Sequence, residues 1–166
     1  GGVTCRISGE TNLLFNHNEL QDGGERTLWM TGCNRVNVSD CTIDGHLVGV
    51  FDLDGSNNLV TGNTITLNNS GEDQLADKGA DCGVVRVKGS SNNFIDCVWN
   101  PAVANPVTIV APDGSKNRFS DCTITNQDSE CVFYISESTE VIGCVEDITK
   151  ISYKTEEKNL IKAAYL

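Results

Sequence analysis

Apolar and polar residues alternate along this chain in short runs, and the runs recur. One set comprises Thr4-Cys-Arg-Ile-Ser8, Leu28-Trp-Met-Thr31, Val50-Phe-Asp-Leu-Asp54, Val84-Val-Arg-Val-Lys88, Thr108-Ile-Val-Ala111 and Val132-Phe-Tyr-Ile-Ser136. Alternation with period two marks a strand with one buried face. A second set follows the first. Its best member is Asn58-Leu-Val-Thr-Gly-Asn63-Thr-Ile65, with relatives at Val36–Ile43, Asn92–Trp99, Asn117–Ile124 and Thr139–Val145, and a weaker copy in Asn12-Leu-Leu-Phe-Asn-His17. Each is a short strand pattern ending in a small polar pair.

The turn residues between the two sets give the period. Gly9, Gly32, Gly55, Gly89, Gly114 and Glu137 are separated by 23, 23, 34, 25 and 23 residues. The long interval holds a polar insertion of loop character at 67–81. Two or three strands in each unit of about 23 residues, with no helical period, exclude TPR and ankyrin repeats; the leucine-rich spacing is also absent. An all-β parallel solenoid remains, each repeat forming one coil, with about seven coils expected in the chain: β-helix coils over residues 1–147 and a terminal coil or C-terminal cap at 148–166. An antiparallel sandwich would not require equivalent side chains at a fixed period. The first coil begins without a cap, so the expected covers for that end are further coils or a partner chain.

Composition narrows the partners. The chain has 166 residues and a formal net charge of −11. An acidic surface disfavours nucleic acid, since phosphate binding needs a basic one. No apolar run approaches the roughly 20 residues that span a bilayer, so no membrane partner is expected. The eight cysteines form no CxxC pair, which argues against zinc ribbons and dithiol chemistry. Cys41, Cys97, Cys122 and Cys144 occupy the repeat position of Asn63, so cysteine there reads as a small buried residue in a stacking ladder. Reduced thiols in such number fit a reducing or anaerobic setting, cytoplasmic, although an extracellular or virion location stays open.

Candidate chemistry lies where polar residues interrupt the strands. No P-loop, nucleophile elbow, HExxH or EF-hand spacing is present. His17 and His46 lack any local metal spacing and read as structural or surface residues, so no metal site is expected. Asp52 and Asp54 point out of one sheet face. Arg86 falls one coil on, where it meets Asp52; a solvated surface ladder and a carbohydrate groove are both open readings. Asp22, Glu25, Arg26 and Trp29 join charged hydrogen-bonding groups to a flat apolar ring, a pairing that sugar sites use; core filling by Trp29 is the alternative. Glu72, Asp73 and Asp77 in the insertion form either a binding rim or an ordinary loop.

Leu47-Val-Gly-Val-Phe-Asp-Leu-Asp-Gly-Ser-Asn-Asn-Leu-Val-Thr-Gly-Asn63, then Asp73-Gln-Leu75, Gly79-Ala80 and Val84-Val-Arg-Val-Lys-Gly-Ser-Ser-Asn-Asn-Phe-Ile95, resemble the C-terminal part of the inulin fructotransferases and the related difructose anhydride hydrolases. Asn12–His17 with Asp22, Glu25 and Trp29 is similar too. The resemblance covers roughly residues 2–100. It implies a right-handed parallel β-helix, a homotrimer with sites between subunits, and cofactor-free acid–base chemistry on a glycosidic bond. The family's principal acidic pair has no match here, so the catalytic residues stay unassigned. Asp22, Glu25, Arg26 and Trp29 are candidate substrate contacts, with Asp52, Asp54 and Arg86 from the strand reading. The expected function is the C-terminal part of a fructan-processing protein acting on an oligo- or polysaccharide. The alternatives are a tailspike-like or adhesin segment binding surface polysaccharide without catalysis, and a structural module docking a partner.

Overall fold

The chain winds into a parallel β-helix. The computed structural model describes residues 2–23, 26–45, 49–68, 83–102, 107–111, 116–124, 131–135, 138–143 and 151–154. The first coil is β1 (Val3–Ser8), β2 (Leu14–Asn16) and β3 (Glu19–Gly23); the second is β4 (Arg26–Asn34), β5 (Asn37–Ser39) and β6 (Thr42–Gly45). The third is β7 (Gly49–Ser56), β8 (Leu59–Thr61) and β9 (Thr64–Asn68); the fourth is β10 (Gly83–Lys88), β11 (Asn93–Ile95) and β12 (Val98–Ala102). Then come β13 (Val107–Ala111), β14 (Arg118–Ser120) and β15 (Thr123–Ile124), followed by β16 (Cys131–Ile135), β17 (Glu140–Ile142) and β18 (Ile151–Lys154).

Strands at equivalent places in successive coils pair in parallel and make three sheets, of seven, six and five strands. Sheet A carries the first strand of every coil, sheet B the short second strand and sheet C the third. Among the described residues five coils have all three strands, fewer than the seven expected. Sheet A has seven strands, so a sixth and a seventh coil are begun by β16 and β18, and the stretch between β17 and β18, 144–150, lies outside the described residues. Strand β9 runs to Asn68 in register with β12, so Leu67 and Asn68 belong to a strand and not to the insertion. Residues 69–82 and, apart from β18, residues 144–166 lie outside the described residues.

Each sheet turns one face inward. Ile7, Leu28, Met30, Phe51, Leu53, Val85 and Val87 come from sheet A; Val38, Val60, Phe94 and Phe119 come from sheet B; Ile43, Ile65 and Trp99 come from sheet C, and all are buried. Phe51 meets Phe94 edge-on with centroids 5.9 Å apart, and Phe94 stacks on Phe119 at 4.8 Å. Stacking of equivalent residues follows from the spacing of parallel strands, roughly 4.8 Å.

The corners explain the polar pairs. The turn from sheet B to sheet C places His17, Asp40, Gly62, Asp96, Asp121 and Gly143 at φ between 52° and 64°. Only Gly, Asn and Asp enter that region at low cost, which accounts for the Gly or Asp recurring there. His17, exposed at this corner, is therefore a turn residue. The next residue is the interchangeable Asn or Cys. Asn63 Nδ2 donates to the Val38 carbonyl at 2.9 Å, Cys97 Sγ to Val60 at 3.5 Å and Cys122 Sγ to Phe94 at 3.7 Å. Asn and Cys substitute for one another because each donates to the middle carbonyl of the preceding sheet B strand.

The hydrogen-bonded amide ladder lies at the other corner, between sheets A and B. Asn58 Nδ2 donates to Asn92 Oδ1 at 3.1 Å, and Asn92 Nδ2 donates to Asn117 Oδ1 at 3.1 Å. The backbone N–H groups of Asn58 and Asn92 donate to the same two oxygens, each at 3.0 Å. These three residues are fully buried or nearly so, and the ladder supplies the hydrogen bonds that water can no longer make to them.

Candidate functional site

The outer face of sheet A carries the chemistry. Strand register stacks Arg6, Trp29, Asp52 and Arg86 in one column, one residue per coil, continuing through Val110 and Tyr134 to Lys154. A parallel column runs Ser8, Thr31, Asp54 and Lys88. Alternation puts Arg6, Trp29, Asp52 and Arg86, and the second column, on the face opposite Phe51 and Leu53.

Asp52 is the centre of the first column. It is 4 % exposed, and Arg86 beside it is 2 % exposed, although both project from the outer face. The face here is therefore no solvated ladder. Arg26 Nε donates to Asp52 Oδ2 at 2.5 Å, and Arg86 Nη1 lies 3.6 Å from the same oxygen. Arg26 is the first residue of strand β4, and its long side chain reaches from the start of that strand to Asp52 on the next.

Trp29 lies next to this group, and it is half-buried, not core filling. The Arg6 guanidinium sits 4.3 Å from the centroid of its ring and that of Arg26 sits 4.9 Å away. Cations are attracted to the electron-rich face of indole, so the ring and its two arginines hold one another in place. The described part of the face thus offers two guanidiniums over a half-buried indole, one of them held by a buried carboxylate.

Four of the expected contacts converge here: Arg26, Trp29, Asp52 and Arg86. Asp54 is on the same face, about 7 Å from Asp52 along the strand by the rise per residue, in the neighbouring column. Asp22 lies on β3 in sheet C, with its side chain outside the described residues. Glu25, His46, Glu72, Asp73 and Asp77 also lie outside them. Arg6 was not among the residues expected. Its signal was in the repeat: Arg6, Trp29, Asp52 and Arg86 each precede a turn glycine, Gly9, Gly32, Gly55 or Gly89, by three residues.

Two-carboxylate hydrolysis needs a general acid and a second carboxylate with free oxygens. Asp52 Oδ2 instead faces two guanidiniums, an arrangement suited to fixing those arginines as donors. Among the described residues no three His, Cys, Asp or Glu side chains are grouped to hold a metal ion. The thiols are inward: Cys5, Cys33, Cys41, Cys97 and Cys122 are free, and all but Cys5 are buried. Burial pushes the Cys5 and Cys33 thiols up from their ordinary value, whereas a hydrogen bond with Cys122 brings Cys97 down. None of them reaches the outer face.

No curated protein and no solved structure matches the chain. A family model described as a right-handed β-helix region matches residues 2–145. With that match over most of the sequence, and three parallel sheets built from successive coils, the chain belongs to the right-handed β-helix family.

Proposed function

We propose that this protein binds an oligosaccharide or polysaccharide along the outer face of sheet A, at Arg6, Arg26 and Trp29, with the buried Asp52 and Arg86 supporting them from beneath, as an adhesin-like or tailspike-like segment does. The observation that carries the reading is the pair of guanidiniums held over the half-buried Trp29 ring, one of them fixed by the buried Asp52. Sugars present hydroxyls to charged donors of this kind and C–H groups to the apolar surface beside them. Placement on strands gives it rigidity that a loop would lack. Equivalent positions recur every roughly 4.8 Å along the stack, a geometry suited to an extended chain lying across several coils.

Fructan processing is the second reading. The resemblance of residues 47–63 and 73–95 to the fructotransferases favours it, and with it assembly as a homotrimer. In that case acid–base groups other than Asp52 do the chemistry, and the sheet A face positions substrate.

A glycan array probed with the labelled protein tests the first reading. Binding to a defined set of glycans, lost in Trp29→Ala, is expected. A blank array, or binding indifferent to that substitution, overturns the assignment. Incubation with inulin followed by product analysis separates the second reading: cyclic difructose supports turnover, and unchanged inulin removes it.

A further inference from the structure

We infer that the sheet A face selects an acidic glycan, one carrying a carboxylate or sulfate, and that Arg6 is the residue that reads the oxyanion. The inference rests on the glycan-binding reading above and adds the substrate class. Arg6 is exposed, and its guanidinium sits over the Trp29 ring. A guanidinium carries its N–H donors in one plane, as a fork that matches the two oxygens of a carboxylate or sulfate. Among the described residues Arg6 faces no carboxylate, whereas Arg26 and Arg86 both face Asp52.

The contrast with Arg26 locates the anion. Two like charges share one indole ring. Asp52 neutralises the one on the Arg26 side. On the Arg6 side only water and salt do so, and a ligand oxyanion can take their place. The overall charge of −11 opposes an anion at long range. At physiological salt, however, exposed charges farther than about 8 Å are largely screened. Charged hydrogen bonds at close range are about twice as strong as neutral ones, so the local guanidinium decides. A neutral fructan would leave this donor fork without its best partner.

Calorimetric titration of the whole chain tests this with three probes at equal ionic strength: a galacturonic acid trimer, a sulfated galactose trimer and a neutral fructose trimer. An acidic probe is expected to bind at least about tenfold more tightly than the neutral one, as for one charge-assisted hydrogen bond. Arg6→Gln should remove that margin, and rising salt should erode it. Arg118→Gln, which removes an equal charge from an exposed ion pair on sheet B, should leave it intact. Whichever acidic probe responds to Arg6→Gln identifies the oxyanion. Equal or tighter binding of the neutral trimer, or acidic binding indifferent to Arg6→Gln, overturns the inference and leaves the glycan reading standing. No binding of any probe, together with a blank array, overturns both.

Discussion

Asp52 has two arginines on one oxygen and almost no solvent. Burying a carboxylate and a guanidinium costs several kcal/mol each, and the pair is stable only while complete. Asp52→Asn should therefore lower unfolding stability by about 3 kcal/mol, read as a shift of the urea midpoint; a midpoint equal to that of the unsubstituted protein would show that the cluster is not built in. Trp29→Ala should leave the helix wound and remove glycan binding, which circular dichroism and the array check together. At this scale the sequence was informative where alternation spoke. Asp52 opposite Arg86, on the outer face, follows from period two and from the turn glycines at equal offset. The degree of burial did not follow, because alternation says which face a side chain leaves and nothing about what covers that face. Arg26 was found by its neighbours, Glu25 and Trp29, and its actual role, clamping Asp52, depends on side-chain reach that no pattern encodes.

The corners are the elements that hold the coils in register. Asn92 accepts from the backbone N–H and amide of Asn58 and donates to Gly55 and Asn117. Asn92→Ala strands those buried partners, each unsatisfied group costing about 1–3 kcal/mol. A loss of about 3 kcal/mol in urea unfolding is expected, and hydrogen exchange at the Asn58 amide should accelerate. Retention of slow exchange there would deny the ladder its role. Gly89 has φ of 115°, and a Cβ at that site would meet the Gly55 carbonyl oxygen. Gly89→Ala should cost at least about 1–3 kcal/mol from backbone conformation alone, measured in the same way. The sequence located these corners well, because left-handed positions favour Gly, Asn and Asp, although Arg35, Ser91 and Lys116 also occupy them here. It found the stacking ladder of the Asn63 column but not the amide ladder at Asn58, Asn92 and Asn117. In the former Asn63 bonds to backbone, and the stacked cysteines on either side cannot continue an amide chain.

As a whole the molecule is a stack in which each coil touches its neighbours, so its stability is a sum of coil-to-coil terms. The aromatic run Phe51–Phe94–Phe119, with Trp99 against Phe119, ties the middle coils together. Phe94→Ala should cost about 3–5 kcal/mol and loosen coils on both sides of it, seen as hydrogen exchange spreading to β8 and β14. The solenoid was legible from period and alternation alone. The number of complete coils was not, since the third strands are as short as the two residues of β15 and carry little pattern. Whether the chain forms the trimer that the fructotransferase resemblance implies is read by light scattering: three times 17.9 kDa is expected on that reading, and a mass of 17.9 kDa would remove the subunit interface from it. The most direct test concerns the face of sheet A. The chain has two tryptophans, Trp29 on that face and Trp99 fully buried in the core. In a Trp99→Phe protein the emission comes from Trp29 alone. Titrated with the best glycan from the array, it should shift to the blue and become protected from acrylamide quenching as the site fills. A glycan that binds by calorimetry while Trp29 emission and quenching stay unchanged would contradict the assignment of this face.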